Sequence, residues 1–569
     1  MSLRKSLLLS AAVLALAVSA SACASVSTDP KAPSGDDTSF GTYLSAHVAA
    51  GQHDLSEAAR LYQSTFADNP DDVEIANRAF LYTAASGDVD KAIELAKKVV
   101  DDNSSDRAAR LALAVGEIKH ENYARARSQL AASGKGPFTT LTLLLVDGWA
   151  AEGAGDIDTA LKDMDALSGA GGTPQLVSYN KALILDLAGR NAEAEADYQS
   201  ALQASANGPR ANEAYGRFLE RQGRTAEAKA LYEKLRASDS LRPLADAGLA
   251  RIAAGEKPDR LVNGAQEGAA EGLFSIAVAL NDATSADIAI LYLRLALYLQ
   301  PDFDLAKIVL ADRFETLKKY DDAITVYRTI DDTSPYQAAA IIQIAIDEGR
   351  LGNNDQAIAD LKTVIAKSPN DVAAWTSLAD AYRAASKDQE AIDAYTKAIA
   401  LLNPPDKDDW QLFFARAVCE ENLKQYAAAE ADLNTALKMS PDQPQVMNYL
   451  GYTWVDQGRN LPQALALLEK ARALSPYDGY IVDSVGWAYF RLAQYKLAAE
   501  ALQAAVLLVP GDATINEHLG DAYWMSGRKL DARFQWNHAL AFNTDPKAKV
   551  EIEKKLADGL DAAQARAGK

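Results

Sequence analysis

The chain has 569 residues, of which 24% are charged and 49% apolar, and carries a formal net charge of −20. Phosphate backbones demand a basic track, so this acidic balance argues against a nucleic-acid binder and gives no reason for adhesion to anionic lipid. The two cysteines, Cys23 and Cys419, cannot supply a disulfide framework once the first is used elsewhere.

Residues 1–22 open with Arg4 and Lys5, followed by an apolar run from Leu7 to Val18. The run is too short to span a bilayer and is built like a secretory signal. It ends in Ala20-Ser21-Ala22-Cys23, which resembles the lipobox of bacterial lipoproteins, with Ala20 where leucine is usual. The resemblance implies that Cys23 is lipidated and becomes the mature N-terminus. The alternative is a soluble secreted protein cut after Ala22. Ala24, not aspartate, follows the cysteine, which by the same resemblance implies a lipid anchor in the outer membrane, facing the periplasm. Residues 23–39 then comprise the lipidated cysteine and a tether rich in Ser, Thr, Pro and Asp, with a mean span of roughly 22 Å.

Residues 40–240 are built on a period. Ala58, Ala92, Ala126, Ala160, Ala194 and Ala228 are 34 residues apart. The spacing resumes at Ala289, Ala323, Ala357 and Ala391 and continues with small slips through Ala429, Ala464, Ala498 and Ala532. A fixed period of this size predicts stacked units, each burying its apolar face against its neighbours. Prolines recur after the second helix of a unit, at Pro70, Pro301, Pro335, Pro369, Pro441, Pro476 and Pro510, where they stop the helix. No period-2 apolar alternation recurs, so the chain is expected to be all-α.

The series breaks once, between Ala228 and Ala289. Residues 241–268 read as an irregular insertion with a short helical stretch, Leu244 to Ala254, then Gly255-Glu256-Lys257-Pro258. A boundary between two sub-solenoids is expected there. Residues 269–546 hold units seven to fourteen. Residues 547–569 are charged and alanine-rich, as suits a capping helix over the last apolar face.

The clearest copy, Val372 to Pro405, carries Trp375, Leu378, Ala379, Tyr382, Ala391, Tyr395 and Ala398; the last shows Leu519, Gly520, Tyr523, Ala532, Trp536 and Ala539 in the same register. This pattern resembles the tetratricopeptide repeat. It implies a superhelical solenoid of about 14 helix pairs that holds other proteins along an extended surface. In such proteins the first helix of each pair lines the concave wall, and steps of 3, 4 and 3 keep its positions two, five, nine and twelve on one face. In the thirteenth pair these are Tyr480, Asp483, Trp487 and Phe490; in the fourteenth, Thr514, Glu517, Asp521 and Trp524. Aromatics interleaved with acids suit a protein partner with apolar and basic groups, while Trp487 and Trp524 also fit plain packing between helices.

No residue set suggests catalysis, a cofactor or a metal. His47, His53, His120, His518 and His538 form no His-Glu-x-x-His pair. Gly169-Ala170-Gly171-Gly172 lacks the Gly-Lys-Ser/Thr of a phosphate loop, and Asp101-Asp102 and Asp321-Asp322 sit where inter-helix turns are expected. Cys419, on a packed helix, reads as a small core residue.

A narrower likeness lies in residues 448–452 (NYLGY), 481–489 (IVDSVGWAY) and 516–524 (NEHLGDAYW), with 268–274 (GAAEGLF) and 293–297 (LRLAL). These resemble a group of proteobacterial envelope proteins whose best understood type is the outer-membrane lipoprotein that partners a carboxy-terminal processing protease. The resemblance implies a non-enzymatic adaptor. It would bind the periplasmic serine protease, promote its active assembly and bring it peptidoglycan hydrolases. A non-proteolytic scaffold for export, outer-membrane assembly or wall synthesis is the competing class.

Overall fold

The computed structural model describes residues 39–560 apart from 206, 207, 237, 239, 240, 403 and 544. The expected signal segment 1–22, Cys23, the tether up to residue 38 and the tail 561–569 of the expected cap lie outside the described residues. Among the described residues there are thirty α-helices, three short 3-10 turns and no strand. The chain divides into two compact units, residues 1–351 and 352–569.

In the first unit six helix pairs follow one another: α1 (Ser39–Gly51) with α2 (Leu55–Asp68), α3 (Val73–Ser86) with α4 (Val89–Asp102), α5 (Arg107–Lys119) with α6 (Tyr123–Ala131), α7 (Pro137–Gly153) with α8 (Ile157–Ala166), α9 (Pro174–Leu187) with α10 (Asn191–Ala204), and α11 (Pro209–Arg221) with α12 (Thr225–Leu235). After these come α13 (Arg242–Ala254), α14 (Ala265–Ala279), α15 (Ala286–Leu299), α16 (Asp304–Thr316), α17 (Tyr320–Tyr327) and α18 (Gln337–Arg350). The second unit begins with α19 (Asn354–Lys367). Five pairs follow: α20 (Val372–Ala384) with α21 (Asp388–Leu401), α22 (Trp410–Asn422) with α23 (Tyr426–Met439), α24 (Pro444–Asp456) with α25 (Leu461–Leu474), α26 (Gly479–Arg491) with α27 (Tyr495–Leu508), and α28 (Ala513–Met525) with α29 (Lys529–Phe542). A single helix, α30 (Pro546–Asp558), follows them.

The repeated alanine sits on the second helix of a pair, and all fourteen copies are at most 1% exposed. A small side chain there lets the two helices close on each other, and large rings such as Tyr62, Tyr198, Tyr395 and Trp536, all fully buried, fill the space left. Small residues on the first helix serve the same approach: a Cβ added to Gly486 would come within 2.5 Å of Leu502 on α27. Aspartates start many of the helices. The carboxylates of Asp72, Asp106, Asp371 and Asp512 accept from the backbone N–H three residues on, each such cap contributing about 1 kcal/mol. Between the two helices of a pair one residue takes a left-handed conformation, at His53, Gly87, Glu121, Gly155, Gly189 and Gly223, again every 34 residues.

The two compact units divide between Leu351 and Gly352, and the expected insertion at residues 241–268 lies within the first of them. Helix α13 packs on α11 and α12 as half a repeat. Residues 255–264 then turn back, and α14 and α15 lie against α3, α5, α7 and α9, the first helices of pairs two to five. The seventh pair is thus packed along the inner wall of its predecessors, not stacked beyond the sixth.

Candidate functional site

In the first unit the inner wall, lined by the first helices of the pairs, is already taken. Leu111, Val115 and Ile118 occupy positions five, nine and twelve of α5, and they are 4%, 0% and 0% exposed. On α7, fully buried Trp149 lies flat against Gly268 of α14, where any side chain would collide with its indole. Trp149 Nε1 donates to Asn180 Oδ1 at 3.0 Å, so the one polar atom of this contact is satisfied. Polar groups fix the register of the inserted pair. Glu271 of α14, fully buried, pairs with Arg210 and accepts from Tyr179 Oη at 3.1 Å. Burial, then the Glu271 charge, holds the Tyr179 phenol well above its ordinary value. Tyr298 Oη of α15 donates to Asp90 at 2.6 Å, and Arg294 Nε to the Ala85 carbonyl at 3.1 Å.

In the second unit no element packs across the inner faces of α20, α22 and α24 in this way among the described residues. The same positions five, nine and twelve on α22 are Phe414, Val418 and Glu421, and all three are only half-buried. Asp380 and Arg383 on α20 and Asn448 and Tyr452 on α24 are half-buried too. Tyr395 Oη donates to Asp380 at 2.5 Å, and Thr453 Oγ1 to Glu421 at 2.8 Å. Around Tyr452 stand acids from three successive pairs: burial, then Asp483, Asp456 and Glu421, raise its phenol pKa. The wall is aromatic and acidic.

Of the residues singled out in the two last pairs, Tyr480 remains on the surface at 41% exposure. Thr514 is exposed as well, and the others are packed away or partly so. Asp483 accepts from or shares a proton with His518 Nδ1 at 3.0 Å, and the His518 ring stacks on Trp487 at 4.1 Å. Trp487 stacks in turn on Phe490 at 4.7 Å, and both are buried. Burial opposes a charge on His518, but Asp483, Glu517 and Asp521 outweigh it and raise its pKa. Glu517 and Asp521, each 3% exposed, receive Lys555 Nζ of α30 at 2.8 and 2.6 Å. Asp521 also accepts from Trp536 Nε1 at 2.9 Å. Trp524 is half-buried against Trp536, with Lys529 Nζ 5.0 Å from its ring centroid. At this end the acids of the first helices meet groups further along the same chain, Asp483 of α26 with His518 of α28, and Glu517 and Asp521 of α28 with Lys555 of α30. His518 and Lys555 were not among the expected site residues. The half-buried residues of α20, α22 and α24 were missed as well, although counting the same four positions back through earlier pairs reaches them.

No group of three or more His, Cys, Asp or Glu that could hold a metal ion occurs among the described residues. No described helix is long and apolar enough to cross a membrane. Cys419 is fully buried, and burial, then Asp388, pushes its thiol up to about 12.

Comparison with known proteins agrees with this architecture. A stretch of 114 residues is 32% identical to the TPR repeat-containing protein PA4667 of Pseudomonas aeruginosa, covering 20% of this chain and 19% of that protein. Another of 167 residues is 29% identical to Superkiller complex protein 3 of Mus musculus, covering 29% of this chain and 10% of that one. The chain therefore spans a fifth or less of the length of these curated relatives. Among solved structures, the APC/C hetero-tetramer Cut9-Hcn1 aligns with 92% of this chain and 97% of its own at a TM-score of 0.38 and 16% identity. A tetratricopeptide repeat protein from Parabacteroides merdae aligns with 44% of this chain and 98% of its own at 0.38 and 14%. The tetratricopeptide repeat profile matches residues 77–138, 145–209, 342–405, 408–479 and 486–548, more than half of the sequence. The chain belongs to the tetratricopeptide repeat family.

Proposed function

We propose that this protein–protein interaction scaffold receives its partners on the inner wall of α20, α22 and α24, while its first unit is a self-filled structural body. The observation that carries the proposal is the contrast between Leu111, Val115 and Ile118, buried in the first unit, and Phe414, Val418 and Glu421, half-buried in the second. The first unit also supplies a precedent for the geometry, since its own wall takes a helix pair in cis. An aromatic wall with Asp380, Glu421 and Asp456 along it favours partners that bring apolar and basic groups.

The finer reading rests on the sequence resemblance. The chain is then an outer-membrane lipoprotein, anchored through Cys23 and facing the periplasm. It acts as an adaptor that binds a carboxy-terminal processing protease, promotes its active assembly and delivers peptidoglycan hydrolases to it. The lipobox-like Ala20-Ser21-Ala22-Cys23 and the motifs in residues 448–524 support it.

The test is a photo-cross-linking amino acid at Tyr452 in residues 24–569, exposed to native periplasm and read by mass spectrometry. The same group at Val115 is the control. Capture of a carboxy-terminal processing protease with wall hydrolases from Tyr452 alone, together with raised hydrolase levels when the protein is deleted, is the expected result. Export or assembly components without a protease would sink the adaptor reading and leave the non-proteolytic scaffold. Equal capture from both positions would sink the assignment of the wall.

A further inference from the structure

Among the described residues, α30 is the helix that follows the last pair of the second unit without a second helix beside it to complete a pair. Its hold on the unit is narrow. Of its thirteen residues only Ile552 is buried, whereas α28 beneath it buries nine. Leu556 and, just past the helix, Leu560 are half-buried against the cluster that contains Leu519, Tyr523 and Trp536. Gly559, in a left-handed conformation, lies on the indole of Trp524 so closely that a side chain there would collide with it. The outward positions Lys547, Glu551, Glu553 and Lys554 are exposed and charged. A helix this short is marginal on its own in water, so its order depends on the few contacts it makes.

Those contacts are chemically selective. Glu517 and Asp521 are buried acids one turn apart on α28, and Lys555 is the cation that meets both. Burial disfavours the charge on Lys555, but Asp521 and Glu517 outweigh it and hold the ammonium above its ordinary pKa. Taking the Lys555 ion pairs away from two buried carboxylates is costly, so the seat favours an occupant that brings a positive group to this point. The apolar requirements are equally fixed, at three residues before the lysine, one after and five after.

We propose that the seat formed by α28 and α29 is a docking surface held in cis by α30, and that a partner segment of the pattern Ile-x-x-Lys-Leu-x-x-Gly-Leu displaces it. This inference rests on the reading of the chain as a protein-interaction scaffold and names the chemistry of one partner segment. Charge complementarity selects the occupant. Glu517 and Asp521 call for a lysine, and the Trp524, Tyr523 and Trp536 surface calls for aliphatic side chains beside it. The cis helix lowers the apparent affinity of any such partner by the fraction of time it stays seated.

The test uses the full mature chain and a fluorescent synthetic peptide of residues 546–560. Hydrogen exchange on the wild-type chain alone comes first: α30 amides should exchange at least about tenfold faster than those of α28. Saturating peptide should then strip α30 of its remaining protection while α28 keeps its own. The chain variant Lys555→Ala, checked for its helical circular dichroism, should take the wild-type peptide at least about tenfold more tightly than the wild-type chain does. The peptide carrying Lys555→Ala should fail on both. Exchange in α30 as slow as in α28, or unchanged α30 protection under excess peptide, would overturn the proposal and make α30 a permanent cap. A chain that cross-links partners at Tyr452 while α30 stays immobile would sink this inference alone.

Discussion

The two units are built from one repeat yet treat their inner walls in opposite ways. In the first, the wall residues of α5 are aliphatic, and the chain returns through α14 and α15 to cover them; in the second, the matching residues of α22 are Phe414, Val418 and Glu421, and among the described residues no helix pair of that unit turns back across them. The difference shows that the repeat alone does not specify a binding surface. What decides is whether the wall is apolar enough to be worth burying and whether the chain carries a segment small enough to enter. A wall of Leu, Val and Ile gains about 25 cal/mol for every Å² removed from water, whereas one carrying Glu421 and Asp380 would lose hydration that an apolar helix cannot replace.

The largest expected effect comes from breaking the filled wall. Trp149→Ala removes the fully buried ring that α14 lies on and should cost the first unit about 3–5 kcal/mol. Calorimetry with limited proteolysis should show the first unit melting roughly 10 °C lower while the second is unmoved. An equal loss in the second unit would mean that the two do not melt as separate bodies.

A pH measurement sharpens the same comparison. In the first unit the buried Glu271 has Arg210 and Tyr179 as direct partners. In the second, buried Glu420 has Arg416 3.8 Å away, and its Oε2 has no hydrogen-bond partner. Burial, then Asp432, opposed by Arg416, pushes the Glu420 carboxyl up to about 7 from an ordinary value of 4.5. A carboxyl whose folded-state pKa lies above its unfolded one takes up a proton on folding. Its contribution is therefore greatest below 4.5 and is lost as pH rises through about 7. The second unit should lose stability between pH 5 and about 8, and Glu420→Gln should flatten that slope. A slope unchanged in the variant would remove Glu420 as its source.

The smallest effect concerns the turns. Ala493 takes φ of 58° in the link between α26 and α27, where glycine stands in several other pairs. The left-handed region costs an L-residue about 1 kcal/mol, so Ala493→Gly should stabilise the second unit by about that amount. Chemical denaturation monitored at the second unit would show it, and a destabilisation would contradict the assigned conformation.

The pairs themselves were legible because one alanine per repeat must be small wherever two helices close on each other, and all fourteen positions lie in the core. The reversal at α14 was not, since an apolar helix after a gap fits a next repeat as well as a groove. Two signs were present. Gly268 and Gly272, four residues apart, give α14 a bare side against Trp149 and Leu145, and Leu291, Leu293, Leu295 and Ile290 make α15 apolar on several faces, as for a helix enclosed all round. For the site, the spacing groups Asp483, Trp487 and Phe490 on α26, and Glu517 and Asp521 on α28, and all five are buried. Their burial depends on His518 and Lys555, long-range neighbours that periodicity does not announce.

The most direct test of the filled and open walls is thiol accessibility. In a full chain with Cys23 and Cys419 replaced by serine and alanine, Val115→Cys and Val418→Cys would be compared for their rate of maleimide labelling in the native state. The account predicts a Val418→Cys chain that labels within minutes and a Val115→Cys chain that stays unlabelled until the first unit is unfolded. Equal labelling of the two folded chains would contradict it.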